Sequence, residues 1–519
     1  MWTSARPLAR LLPGFLLLAA AASAAPPLLW ISGGQPTPQA IALLAQLASA
    51  ADHGLDPSDY QADNLAASVE RLRHAQIASQ SELEPLDAAL TGAALSYAHD
   101  LHFGRIDART AGFAIGPPRP PLDSAATLSR LAGSGDAAAD FAALEPPFVH
   151  YRLLESALHR YHELALQPGL TQLPQLPHRT LQLGERYQGA PALRRLLAAV
   201  GDLAAADALV PPGEDEIMDT ALMQGIVRFQ GRHGLAMDGL LSRKTFQALT
   251  VPLAARAHSI ELTLERWRWL PPFTAPPIIV NIPQFQLFAF RSTTDRAADI
   301  VQMPVIVGQS FRDKRTPVFV SDLRYVVFRP YWDVPASIVR REMLAPMRAD
   351  PGFLERNKLE IVRGGGDDAT PVTADAASID ALAAGQLRLR QRPGPDNALG
   401  LVKFVMPNDY GVYLHSTPAR LLFGKARRDF SHGCIRVSDP LSLAVHVLRS
   451  NSGAWSADAV NAAMQGADAQ RIKLDAPVPV MVLYATALAT EAGPVLFFDD
   501  IYGYDRRLDA MLHRRRAAR

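Results

Sequence analysis

Between residues 26 and 205, apolar positions recur at three- and four-residue spacing in Ala- and Leu-rich stretches. That period predicts a helical region. Thr37-Pro38 opens one helix, with Thr37 as N-cap and Pro38 at the first helical position, followed by Ile41, Leu44 and Leu47. Residues 86–101 and 151–166 read as two more helices. The stretch 112–147 between them is rich in Pro and Gly and is expected to wrap the surface. Residues 206–258 form a small unit, in which Leu222, Ile226 and Phe229 place one apolar stripe on a helix. His233-Gly234 stops that helix, Asp238-Gly239 makes a tight turn, and Ser242 caps a second helix through Phe246 and Leu249. From Pro276 the texture changes to β-branched and aromatic residues, with alternation in 284–290. Residues 278–282, 319–328, 402–406 and 479–483 share it, which predicts strands. Residues 337–400 interrupt this β-region with a helix expected over 338–345, ending near Pro346, and a loop at Gly364-Gly365-Gly366. The basic run Arg514 to Arg516 reads as a frayed, solvated end.

Composition adds compartment. The 519 residues suggest several domains. A net charge of +1 gives no global field for nucleic acid or an anionic membrane. Arg6 and Arg10, an apolar run over 11–22 and Ala22-Ser23-Ala24 form a secretory signal pattern in residues 1–25. The remaining chain has no apolar run near 18 residues, so no transmembrane span is expected in the mature chain, which is expected to be soluble outside the cytoplasm. The chain holds 1 Cys, which excludes an internal disulfide and a Cys-based zinc site. The string His159-Arg160-Tyr161-His162-Glu163 has the order of no zinc-binding helix motif and reads as a solvated face, so no metal and no cofactor are expected.

The lone Cys lies in Ser431-His432-Gly433-Cys434-Ile435-Arg436, downstream of Tyr413-Leu414-His415-Ser416. A thiol becomes a competent nucleophile beside an imidazole base or positive charge, and both residue types flank Cys434. Gly433 allows close backbone approach, and consecutive N–H groups around it could face an oxyanion. Tyr413 precedes His415 by two residues, so on a strand it shares the face of that His.

The spacing His415-x15-Ser431-His432-Gly433-Cys434-Ile435-Arg436 resembles the signature of the L,D-transpeptidases, whose catalytic domain is of the YkuD type. Arg228-Phe229-Gln230 through Asp238-Gly239 resembles a peptidoglycan-binding type 1 module, and Glu265 to Pro271 resembles the linker that follows it in large Gram-negative members. Tyr331-Trp332-Asp333-Val334-Pro335 resembles the entry to their capping subdomain, and Gly54-Leu55-Asp56-Pro57 their scaffold domain. The resemblance implies an α+β multi-domain chain, divided as signal peptide 1–25, helical scaffold 26–205, three-helix binding module 206–258, linker 259–275, β-rich catalytic domain 276–490 with a capping insertion 337–400, and C-terminal segment 491–519. It implies a periplasmic enzyme that forms 3-3 cross-links between diaminopimelate residues of peptidoglycan stems, releasing D-Ala, and that carbapenems inhibit. Cys434 is the implied nucleophile and His415 the base, its ring held by the Ser416 carbonyl. Gly433 and Cys434 are the implied oxyanion donors, with His432 in support and Arg436, Tyr413 and Trp332 at the substrate. Partners implied are the donor tetrapeptide, the acceptor amine and cell-wall synthesis proteins. The alternatives are L,D-carboxypeptidation, anchoring of a lipoprotein, and a non-catalytic wall-binding scaffold.

Overall fold

The computed structural model describes residues 28–518 apart from 75–78, 117–118, 212, 293–299, 312, 367–368 and 492. The expected signal segment 1–25 lies outside the described residues. Helices lead the chain: Pro38–Ala48, Ala62–His74, Gln80–Phe103 and Val149–Ala165 are the longest of the N-terminal region. Thr37 caps the first as its pattern predicts, accepting the Ala40 N–H, with Pro38 in the first turn. Trp30, Leu43, Leu47, Tyr60, Tyr97 and Phe141 close a core of their own. Helix Val149–Ala165 instead turns Tyr151, Leu154 and Leu158 into the main core shared with the rest of the molecule.

The small module is built on helices Ala190–Ala199, Thr220–Arg232 and Arg243–Leu249. Leu222, Ile226, Phe229 and Leu249 are buried, as their spacing requires. Buried Gln230 explains the Asp238-Gly239 turn. Its amide donates to Asp238 Oδ1, the Leu240 carbonyl and Thr245 Oγ1, and its oxygen accepts the Gly239 N–H. Arg232 forms a buried pair with Asp202.

Residues 259–275, expected to link, begin inside helix Leu253–Trp267, which packs along Val149–Ala165. Trp267 and Trp269 are buried against Phe148 and Phe113, so neither ring offers a face to a sugar. Glu265 is fully buried and accepts the N–H groups of Arg105 (2.5 Å) and Ile106 (2.9 Å), with the Arg105 and Arg268 guanidinium groups beside it. This carboxylate ties the segment after helix Gln80–Phe103 to helix Leu253–Trp267, which leads into the β-region.

Eight strands close a barrel. In order around it run Val301–Gly308, Ile435–Val437, Leu414–His415, Val402–Val405, Phe319–Phe328, Gln470–Leu483, Ile278–Asn281 and Gln286–Ala289, the last pairing back to the first. Strand Asp429–Ser431 adds to the outside of Val301–Gly308. The period-two burial of Gln286–Ala289 and Val402–Val405 is that of strands with one face in the core.

Between barrel strands, Trp332–Asp333, Leu359–Arg363, Thr370–Pro371 and Arg388–Gln391 form a separate four-stranded sheet. Val334, Val339, Met347, Ile361 and Leu389 give it a distinct core. The helix expected to end near Pro346 instead continues to Ala349, after a π-helical turn over Val339–Met343. The proline is accommodated just after the π-helical turn, where the Leu344 N–H reaches back five residues to the Val339 carbonyl and the regular i to i−4 bonding is already broken.

The C-terminus differs from expectation. Arg514, Arg515 and Arg516 form the last turn of helix Tyr504–Ala517. Arg515 grips both oxygens of the fully buried Asp100 at 2.8 Å, and Arg516 meets Asp56 at 2.7 Å. A buried carboxylate demands a paired cation, and the one it finds lies more than 400 positions away. Among the described residues, no helix is long and apolar enough to cross a membrane.

Candidate functional site

Strand Leu414–His415 pairs in parallel with Ile435–Val437, Leu414 opposite Ile435 and His415 opposite Arg436. The Ile435 N–H donates to the Tyr413 carbonyl. This register sets the Cys434 loop beside Tyr413 and His415, although about twenty residues separate them in sequence. On the other side, Lys403 of Val402–Val405 faces His415.

His415 is buried and its Nδ1 lies 2.5 Å from the Ser416 carbonyl oxygen. That bond assigns the proton to Nδ1 and leaves Nε2 as an acceptor. Burial, then the Arg436 and Lys403 charges, pull the imidazole down to about 3, against the carbonyls of Ser416 and Leu399. The ring is therefore neutral at any physiological pH. The half-buried Cys434 thiol is pushed above its ordinary value of 9.0 by burial. Hydrogen bonds from the Tyr413 backbone and hydroxyl, with Lys403 and Arg436, oppose that rise. The resting pair is thus neutral thiol and neutral imidazole, so a proton would leave sulfur as the sulfur attacks.

The Cys434 loop is held from three sides. The Ser431 hydroxyl donates to the Cys434 carbonyl at 2.5 Å and accepts the Gly433 N–H at 3.1 Å. The Thr316 hydroxyl donates to the Gly433 carbonyl. The Tyr502 hydroxyl donates to the Gly308 carbonyl and accepts the Thr316 N–H. Gly433 has φ 121°, which a side chain would rarely adopt. Its N–H, expected to face an oxyanion, is instead spent on Ser431, because the turn that exposes the thiol folds that N–H back on the hydroxyl.

His432 turns its ring toward the inserted unit. Its Nε2 lies 2.9 Å from Glu342 Oε1, on the π-helical turn of the inserted unit, and 3.0 Å from Lys314 Nζ. Arg341 of the same turn pairs with Asp313. His432 therefore joins the insertion to the barrel. Trp332 packs against the core of the insertion, and its side chain hydrogen-bonds Tyr413. Burial, then the neighbouring Cys434, raises the Tyr413 hydroxyl well above its ordinary value, so it stays a donor. Arg436 has no carboxylate partner among the described residues, and its Nε is buried without a hydrogen bond. An unpaired guanidinium beside a thiol suits a carboxylate-bearing substrate.

Sequence reading missed Lys403, whose ammonium lies 4.0 Å from the Tyr413 ring centre, and the Thr316–Tyr502 brace. A lysine inside the alternation of 402–406 was the available signal for the first. No local pattern marked the second. Gly400 is a further hidden constraint. At φ 61° it passes so close to the loop after His415 that a Cβ would stand 2.5 Å from Ser416 Oγ and 2.7 Å from the Thr417 N. Gly400→Ala should displace the carbonyl that orients His415 and lower turnover roughly 10²-fold. The check is kcat beside an unchanged circular dichroism spectrum.

Three family profiles match the chain. The "Scaffold domain" covers residues 22–158, the "Putative peptidoglycan binding domain" 187–249, and the "L,D-transpeptidase catalytic domain" 276–469. A Haemophilus influenzae protein named "Putative L,D-transpeptidase" is 33% identical over 280 residues, 53% of this chain and 55% of the relative. The match thus spans about half the length of that curated relative.

Proposed function

Because residues 276–469 belong to the L,D-transpeptidase catalytic-domain family and follow a peptidoglycan-binding domain, we propose that the protein cross-links peptidoglycan by cysteine acyl transfer. The observation that carries this reading is the neutral His415, oriented by Ser416, on the strand beside the only Cys of the chain. In the first half-reaction Cys434 Sγ attacks the carbonyl carbon between diaminopimelate and terminal D-Ala of a tetrapeptide stem. The S–C bond forms as the C–N bond breaks, and the thiol proton passes through His415 to the departing D-Ala amine. In the second, the side-chain amine of another stem attacks the thioester. The N–C bond forms, the C–S bond breaks, and the amine proton returns through His415 to sulfur. The Cys434 N–H and the Tyr413 hydroxyl are the donors nearest the developing oxyanion. Arg436 and Lys403 hold the carboxylates of the stem. The product is a 3-3 link, made on the cell wall in the periplasm.

The inserted unit carries Trp332 to Tyr413 and Glu342 to His432, which limits water at the thioester. That arrangement favours an amine over water as acceptor. Incubating the protein with disaccharide-tetrapeptide and resolving products by mass should give dimers that lack one D-Ala. Tripeptide without dimer would instead make it a carboxypeptidase. No product, with no carbapenem adduct on Cys434, would leave only a wall-binding scaffold.

A further inference from the structure

Apart from the thiol site, three titratable side chains from separate segments converge where the N-terminal core meets the main core. His53 ends the short helix Ala50–His53, Glu145 lies in the loop before helix Val149–Ala165, and Glu155 lies on that helix. His53 Nδ1 is 2.7 Å from Oε1 of Glu145 and 2.7 Å from Oε1 of Glu155. One ring nitrogen carries at most one proton, so it can satisfy only one of the two carboxylates. It bonds Glu155. Glu145 Oε1 stands at ion-pair distance from the same nitrogen, and that buried atom makes no hydrogen bond of good geometry. Without metal, protonated His53 is the one cation that this buried oxygen, on a residue only 8% exposed, and Glu155 must share.

We propose that His53 Nδ1, Glu145 Oε1 and Glu155 Oε1 form a binding site for a divalent transition metal, with Zn²⁺ the best-suited ion. The three atoms lie within 4.8 Å of one another. Ligands about 2.0–2.2 Å from a tetrahedral zinc ion lie roughly 3.3–3.6 Å apart, inside that limit, so the two Nδ1–oxygen distances of 2.7 Å would open by less than about 1 Å on binding. One imidazole nitrogen and two carboxylate oxygens make a mixed donor set suited to zinc, with a fourth position left for water. The backbone around two of the ligands is braced. The Arg268 guanidinium donates to the His53 carbonyl, and Arg119 donates to the carbonyls of Leu144 and Glu145. Without metal, protons occupy the site. Burial lowers His53, but the two carboxylates outweigh it and lift the ring to about 9. Burial, with Glu145 nearby, lifts Glu155 to about 7 despite His53. Binding therefore displaces protons and must weaken as pH falls. The Arg268 and Arg119 charges also face the site, and the two carboxylates offset them. A bound ion would clamp the N-terminal core to the helix that carries Glu155, so its role is structural and does not depend on the cross-linking reaction.

The test uses the full chain carrying Cys434→Ala, which removes the only thiol as a competing ligand. After chelator stripping, equilibrium dialysis against Zn²⁺ at pH 8 should load one ion per chain and raise Tm. Affinity should fall at least tenfold at pH 6. His53→Ala and the near-isosteric Glu155→Gln should each weaken binding by about 10–100-fold. His258→Ala, which alters a separate, half-buried His–Glu–Asp contact, should leave it unchanged. Binding as tight in Glu155→Gln and His53→Ala as in the parent, or no uptake by the parent, overturns the proposal.

Discussion

Cys434→Ala should eliminate both D-Ala release and dimer formation, a loss on the order of 10⁴-fold or more, because the chain has no second thiol to take the acyl group. His415→Ala should cost roughly 10²–10⁴-fold, the usual yield of a positioned base. The two effects should not add, since both remove one proton-coupled attack. The electrostatics of the site also set the pH behaviour. His415 titrates near 3, so the base is unprotonated throughout the working range and no acid limb should appear between pH 5 and 8. The Cys434 thiol is raised by burial, so its thiolate accumulates only on the alkaline side of 9.0. Iodoacetamide alkylation of Cys434 should therefore climb about tenfold per pH unit from 6 to 9. A plateau below pH 7 would mean a preformed thiolate–imidazolium pair and would refute the neutral resting state. Replacing Arg436 by Met should push the alkylation midpoint higher still, because a charge that favours the thiolate is lost.

The largest stability effect is expected at Glu265. Its carboxylate is fully buried and serves two backbone N–H groups and two buried guanidinium groups, from Arg105 and Arg268. Glu265→Ala strands those cations in a dry interior, where removing one partner of a buried pair costs about 3–5 kcal/mol. A chain with several cores need not unfold in one step, so the readout is the first transition in a urea titration. Glu265→Gln, which keeps an acceptor oxygen for the backbone, should lose less than Glu265→Ala. Equal stability of Glu265→Ala and the parent would show that water or a rearranged Asp or Glu replaces the carboxylate.

Much of the architecture was legible from local signals. The helix period of Leu222, Ile226 and Phe229 describes a real buried stripe, and Thr37 and Ser242 cap the helices they were expected to cap. The period-two burial of 286–289 and 402–405 matches the β texture of those stretches. These succeed because caps and face periodicity depend on neighbours within a few residues. The candidate thiol site could be proposed from sequence for a related reason. Its chemistry sits in one short string, Ser431 to Arg436, and in Tyr413 to Ser416.

What could not be read is set by partners distant in sequence. Arg515 looked like a frayed end because its carboxylate, Asp100, belongs to the other terminus. Residues 265–269 looked like a linker because their burial depends on Arg105, Phe113 and Phe148. His432 lies in the candidate catalytic string, and only the inserted unit shows that its ring also meets Glu342. Lys403 enters the site by strand register alone, and the Gly433 N–H turns to Ser431 by loop closure alone. Sequence by itself determined which reactive groups the chain carries, a lone thiol among histidines and arginines, and the helix or strand character of its strongly periodic stretches. Tertiary structure decided which of those groups face the sulfur, what their protonation is, and which charges are buried in pairs. The division follows from range: propensity and periodicity act along the chain, whereas desolvation and charge pairing act through space.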